Sequence, residues 1–171
     1  MHTFSADDQD VLRHRLHGFL TGAIQTIETA GRTVCDCTDA VPWECTMDMA
    51  RQVWDRARHV DIVMQLLAHV EGSSGACLET TMLSPCADAQ TPEERLAGVN
   101  RGLEGLACDA LAQLSELARH IGDPVMERAL DFVLADEIAH VRVRSRWRRE
   151  LPTDAPEGLR KALAFQQSIA A

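Results

Sequence analysis

Apolar residues recur at steps of three and four along four long stretches of the chain, which is the spacing of one face of an α-helix. Polar segments and segments containing Gly or Pro separate these stretches, as expected at helix ends. The segment 76–90 is predicted to be a long crossover with room for one short turn of helix, and a short helix is expected near 156–169. The four long helices are predicted to run from the end of SADDQD (5–10) to about Cys35, over about 46–70, from Pro92 to about His120, and from Pro124 to about Glu150.

This order of helix hairpin, long connection and helix hairpin predicts an all-α fold. A four-helix bundle with a crossover in its middle connection is the arrangement associated with ferritin-like folds, and a simple up-down bundle is the alternative. The short C-terminal helix is expected on the outside. Aromatic residues make up 4% of the chain and tyrosine is absent, which disfavours a β-sandwich or barrel. A length of 171 residues suits a single domain over 1–171.

The net charge and the cysteines indicate which kinds of binding partner and which cellular compartment to expect. A net charge of −9 disfavours nucleic acid, because basic residues cluster only in RVRSRWRR (142–149), where a solvated helix end is expected. No apolar run approaches the roughly 20 residues of a membrane span, and no signal peptide is recognised. The sequence therefore predicts a cytoplasmic protein without a membrane partner, whose six cysteines stay reduced.

The fourth predicted helix carries an acid and an imidazole on its apolar stripe. Glu137 and His140 share the helical face of Leu130, Val133 and Trp147. Burying a carboxylate without a partner is strongly unfavourable, so either a cation compensates it or the helix is exposed at this point. A metal ion is the first candidate.

Three further candidates occupy comparable positions on the other helices. Glu104 is expected on the inner stripe of the third helix, Glu28 on that of the first, and His59 on that of the second. A carboxylate-bridged metal pair in a bundle needs one Glu from each of two helices and Glu-x-x-His from each of the other two. Arg56 stands where the second helix should supply its Glu, and a guanidinium offers no lone pair to a metal. Arg56 could instead neutralise Glu28 or Glu137 in a buried salt-bridge network without metal.

Several motifs resemble the ferritin-like di-iron carboxylate superfamily over most of 10–150. ARQVWDRARHV (50–60) resembles a helix-two pattern in which W-D-E-A-R-H is expected. RGLEGLACDAL (101–111), GDP (122–124) and DEIAHVRVRSRW (136–147) are similar to a bacterial branch akin to tRNA-hydroxylase-like proteins. The resemblance implies one or two iron ions, or manganese, with Arg56 as the departure from the pattern. The implied metal ligands are Glu28, His59, Glu104, Glu137 and His140.

On this basis the expected function is a metal-dependent, oxygen-using oxidase or hydroxylase. Its expected partners are a small-molecule substrate and dioxygen, and a homodimer is compatible with it. Arg56 is expected to anchor a substrate carboxylate or phosphate, or to compensate charge in the site. The alternative is a non-catalytic helical scaffold or interaction protein with a decayed metal site. Hydroxylation of tRNA follows from the resemblance alone, and the negative net charge opposes it.

Overall fold

The computed structural model of the protein describes residues 6–37, 39–79, 81, 83–92, 94–96 and 103–151, and for 6–8 and 103–106 only the backbone. Within these ranges the regular structure is helical and no strand is present, so the prediction of an all-α fold is confirmed. The helices are α1 (Ala6–Asp36), α2 (Trp43–His69), α3 (Ser84–Asp88), α4 (Leu103–His120) and α5 (Pro124–Glu150).

The helix ends follow local chain chemistry. The Asp123 side chain accepts hydrogen bonds from the backbone N–H groups of Val125 and Met126, and Pro124 occupies the first turn of α5. Gly122 has a φ of 74°, the left-handed conformation that glycine adopts most readily where a helix ends. The link between α4 and α5 is therefore as tight as the GDP segment predicts.

The predicted helix boundaries agree with the described ones in most places. α3 is the short turn of helix expected within 76–90, and α5 has the predicted bounds. Pro92 and residues 94–96 are helical as well, whereas the chain between them and α4 lies outside the described residues. The helix expected near 156–169 also lies outside them, so a single domain over 1–171 stays a prediction.

The long helices pack as two pairs. α1 lies along α2, α4 lies along α5, and the pairs meet where α2 contacts α5. Their shared core is aliphatic, as the composition predicts. The core includes Leu12, Leu16 and Leu20 of α1, Val63, Leu66 and Leu67 of α2, Leu111 and Leu114 of α4, and Leu130 and Val133 of α5.

In the described ranges, no helix is both long and apolar enough to cross a membrane.

The inward orientation predicted for Glu28 is wrong. Its side chain is 48% exposed and forms an ion pair with Arg32 at 2.8 Å on the surface of α1. The predicted stripe advanced from Leu16 to Glu28 in steps of four residues, and each such step turns about 40° further around a helix. Over three steps the deviation reaches roughly 120°, which carries Glu28 out of the core. The buried face of this part of α1 is formed instead by small residues such as Ala23 and Ala30.

Candidate functional site

The buried face of α5 carries the acid and the imidazole that its sequence predicts. Glu137 is completely buried and His140 nearly so, one turn further along the helix. Leu130 and Val133 precede them on the same buried face, and Trp147 follows. Packing of these apolar neighbours fixes the face that α5 presents to α2.

From the opposite side, α2 supplies a buried arginine and a buried histidine. Arg56 Nη1 lies 2.5 Å from Glu137 Oε1, and His59 Nδ1 lies 3.1 Å from the same oxygen. His140 Nδ1 lies 3.8 Å from Glu137 Oε2. The centroids of the two imidazole rings are 5.9 Å apart. Glu137 is therefore enclosed by one guanidinium and two imidazoles.

Each imidazole forms a hydrogen bond to an aspartate through Nε2, the ring nitrogen that faces away from Glu137. His59 Nε2 lies 3.1 Å from Asp136 Oδ2, and His140 Nε2 lies 3.2 Å from Asp55 Oδ2. An ionised carboxylate can only accept a hydrogen bond, so each Nε2 carries a proton and donates it. In a neutral imidazole the proton on Nε2 leaves Nδ1 as a lone pair. Both lone pairs then point towards Glu137.

The atoms facing one another at the centre make no hydrogen bond of good geometry, although Glu137 Oε1 is in ion-pair contact with Arg56 Nη1. Both Nδ1 atoms, His59 and His140, and both carboxylate oxygens of Glu137 are buried without a hydrogen-bond partner. Lone pairs of neutral imidazoles directed at a carboxylate repel it, and burial removes the water that would separate them. The arrangement becomes favourable when the imidazoles are protonated or when a cation lies among these atoms.

The charge of Glu137 is stabilised by its neighbours. Burial alone would raise its pKa, but the His140 and His59 imidazoles, in the form that carries a proton towards the carboxylate, and the positive charge of Arg56 outweigh that effect and lower the pKa to about 2. Glu137 is therefore ionised at neutral pH, as a metal ligand or an ion-pair partner must be.

One arginine connects the two supporting aspartates. Arg58 Nη2 lies 2.5 Å from Asp55 Oδ1 and 3.1 Å from Asp136 Oδ2. Arg51 also pairs with Asp55, at 2.9 Å. Burial would raise the pKa of Asp55, but its hydrogen bonds with His140, Arg51 and Arg58 outweigh that effect and lower the pKa below its ordinary value.

The structure brings together four of the six predicted site residues: Arg56, His59, Glu137 and His140. Glu28 is on the surface, and Glu104 lies in the first turn of α4 with its side chain outside the described part. Sequence reasoning missed Asp55 and Asp136 as partners of the imidazoles. The signal available for Asp55 was its spacing from Arg51 and Arg58, which is that of helical ion pairs.

As they stand, no three or more described His, Cys, Asp or Glu side chains are arranged to hold a metal ion. The guanidinium of Arg56 already places a positive charge against Glu137. Among the described side chains, the ligand set predicted for two ions is not complete, since Glu28 faces solvent and Arg56 stands where the pattern has a Glu. The donor types fit one ion: two buried imidazole nitrogens without a well-directed hydrogen bond, and one buried carboxylate that Arg56 contacts at one of its oxygens.

Taken together, these features define an all-helical protein with a buried histidine–carboxylate cluster between two of its helices. The chain belongs to the family described as "Protein of unknown function (DUF455)", whose model matches residues 5–171. No curated protein and no solved structure matches the chain. The family description names no activity, so the chemistry of the cluster is the guide to function.

Proposed function

We propose that this protein binds a single iron or manganese ion and acts as an oxidase or hydroxylase on a small molecule. The ion is held by Nδ1 of His59, Nδ1 of His140 and the carboxylate of Glu137. One observation carries the proposal: both imidazoles are fixed at Nε2 by aspartates, so their Nδ1 atoms are directed at one buried carboxylate. Hydrogen bonding of the second ring nitrogen to a carboxylate is the usual support of a metal-bound histidine.

The donor set determines the class of chemistry. Two histidines and one carboxylate are the ligands of non-haem iron oxygenases, in which the ion's open positions supply oxygen activation when it is bound. Glu104 remains the proposed additional ligand from α4. The proposed partners are dioxygen and a small-molecule substrate, and nucleic acid is not among them.

The protein's own side chains have separate tasks in this proposal. Asp55 and Asp136 keep both imidazoles in the tautomer that offers Nδ1, and Arg58 fixes the two aspartates. Arg56 neutralises Glu137 when no ion is bound. With an ion in place, Arg56 would no longer be needed at Glu137, and its guanidinium would be able to donate two hydrogen bonds to a substrate carboxylate or phosphate.

The fold is proposed to be a ferritin-like four-helix bundle with its long connection between α2 and α4. Support comes from the pairing of α1 with α2 and of α4 with α5, and from a cluster located where the two pairs meet. We further propose a cytoplasmic location, the compartment in which six thiols remain reduced.

Metal analysis tests the proposal directly. Protein purified from cells supplied with iron is expected to contain about one ion per chain by mass spectrometry and to consume dioxygen when reduced. His140→Ala should lose the ion, whereas His14→Ala, at an exposed histidine of α1, should retain it. A folded protein that excludes both iron and manganese at saturating concentrations contradicts the proposal.

A second candidate is a non-catalytic scaffold that keeps the cluster as an ion-pair network. The observation in its favour is that Asp55, Asp136 and Glu137 each contact an arginine, so the carboxylates are neutralised without metal. In that case the protein stays metal-free, and His140→Ala lowers its stability by the same amount whether or not iron or manganese is supplied. The same measurements therefore separate the two functions.

A further inference from the structure

The outer face of α2, opposite the histidine–carboxylate cluster, is apolar along nearly the whole helix. Trp43 is 66% exposed, Trp54 64%, Met47 49% and Met64 50%. We propose that this outer face is the interface of an antiparallel homodimer, in which α2 packs against α2 of a second copy. The residues of the outer stripe are Trp43, Met47, Ala50, Trp54, Ala57, Asp61, Met64 and Ala68. The proposal is independent of metal binding, because the stripe and the proposed ligands lie on different faces of the helix.

The stripe has the periodicity of a helix that packs against another helix. Between Trp43 and Ala68 its positions alternate steps of four and three residues, which is the heptad spacing of a coiled-coil seam. A solvated helix face has no reason to keep this spacing. The inner face of α2 buries a different set of residues, including Met49, His59 and Val63, so the outer stripe is not needed to attach α2 to its own chain.

The stripe matches itself when a second copy runs in the opposite direction. In one antiparallel register, Trp43 meets Ala68 and Trp54 meets Ala57 of the second copy, while Met47 meets Met64. Each bulky indole then lies opposite a methyl group, which is the alternation of large and small residues that close packing requires. Bulky residues would face each other in a parallel dimer, where Trp43 meets Trp43 and Trp54 meets Trp54.

The single charged position of the stripe has a partner in the same register. Asp61 meets Ala50 of the second copy, and Arg51 of that copy is the next residue along its helix. Arg51 is 67% exposed and lies at the edge of the stripe. The two-fold axis generates this Asp61–Arg51 contact twice, and a charged pair at such positions fixes the register of helix pairing.

The available area is consistent with a stable dimer. Burying a tryptophan removes about 150–250 Å² from water, so the exposed parts of four tryptophans in two copies contribute about 500 Å². The methionines and alanines extend the contact along about 38 Å of helix. Together they approach the roughly 1,200 Å² at which specific interfaces begin.

Sedimentation equilibrium of the full chain from about 1 to 100 µM tests the association. The wild-type chain is expected to dimerise, and Trp54→Asp is expected to raise the dissociation constant at least about tenfold. Leu78→Asp, at a fully exposed apolar residue outside the stripe, is the matched control and should leave it unchanged. Circular dichroism and urea unfolding verify that each variant is folded.

A size swap tests the register itself. Ala57→Trp makes the surface more apolar but opposes two indoles, so it is expected to weaken the dimer, and adding Trp54→Ala should restore it. Stronger association of Ala57→Trp would indicate unspecific adhesion and overturn the proposal. A chain that stays monomeric throughout also overturns it, whether the stripe is bare or covered by residues of the same chain.

Discussion

Arg56 Nη1 of α2 lies 2.5 Å from Glu137 Oε1 of α5, and both side chains are buried. An arginine is a permanent cation, so a carboxylate in the interior has a partner whether or not a metal is bound. Removing one member of a buried pair costs much more than the net contribution of the pair, because the other charge is left uncompensated. This contact connects the stability of the metal-free protein to the metal binding proposed for it.

Arg56→Ala is expected to destabilise the metal-free protein by about 3–5 kcal/mol, since Glu137 loses its permanent counter-charge. Ferrous iron or manganese, added under anaerobic conditions, should recover most of this loss by supplying a cation at the same carboxylate. Urea unfolding with and without the ion measures both effects. Arg32→Ala, which breaks the surface pair with Glu28, is the control and should cost below about 1 kcal/mol. Equal losses in the two variants would contradict the burial argument.

Arg56→Glu is expected to raise the metal content per chain above that of the wild type. The substitution places a carboxylate one turn before His59 and completes the Glu-x-x-His spacing that metal pairs in helical bundles use. Arg56→Gln removes the same positive charge without adding a charged ligand and is the matched control. Mass spectrometry of the metal after equilibration with ferrous iron or manganese measures the result. The same metal content in both variants would show that position 56 does not face the ion.

Asp136→Asn is expected to weaken metal binding about 10–100-fold with little change in stability. The asparagine amide can donate to Nε2 of His59 and favour the tautomer that carries its proton on Nδ1, where the ion must bind. Competition with a chelator measures the affinity, and Asp39→Asn at an exposed turn is the control. Unchanged affinity would mean that Asp136 supports the fold but does not orient the imidazole.

The cap of α5 predicts a loss of stability in acid. Burial would raise the pKa of Asp123, but its hydrogen bonds with the backbone N–H of Met126 and with His69 outweigh that effect and lower the pKa below its ordinary value. A lowered pKa in the folded state stabilises the protein above the unfolded pKa, and this contribution is lost as the pH falls through the folded pKa.

Asp123→Asn should therefore flatten the decline in unfolding free energy between about pH 5 and pH 2, because asparagine caps a helix without titrating. Asp123→Ala should cost about 1 kcal/mol at neutral pH. Urea unfolding across this pH range measures both variants. An acid decline in Asp123→Asn as steep as in the wild type would assign the effect to other carboxylates.

The sequence predicts α5 well because its apolar period is regular and its ends have clear signals. Asp123, Pro124 and the preceding glycine fix where the helix begins, and its buried face includes Glu137 and His140 as expected. Periodicity failed at Glu28, because repeated four-residue steps drift around the helix and the true buried face of α1 uses small residues that hydropathy hardly distinguishes.

The supporting aspartates could not be predicted from single-helix periodicity. Asp55 and Asp136 each lie beside a position of the inner face, and each reaches a histidine on the other helix. Such contacts depend on how far α2 and α5 are offset along their axes, which residue spacing within one helix does not report. Each helix therefore supplies the aspartate that supports the other helix's histidine, a pairing that only the packed structure reveals.

Arg58 is one third exposed, yet it holds both aspartates that position the two imidazoles. The orientation of both buried imidazoles therefore depends on a partly exposed side chain, although Asp55 has Arg51 as a second partner. A substitution of Arg58, or a solute that binds its guanidinium, would therefore alter the orientation of two buried imidazoles.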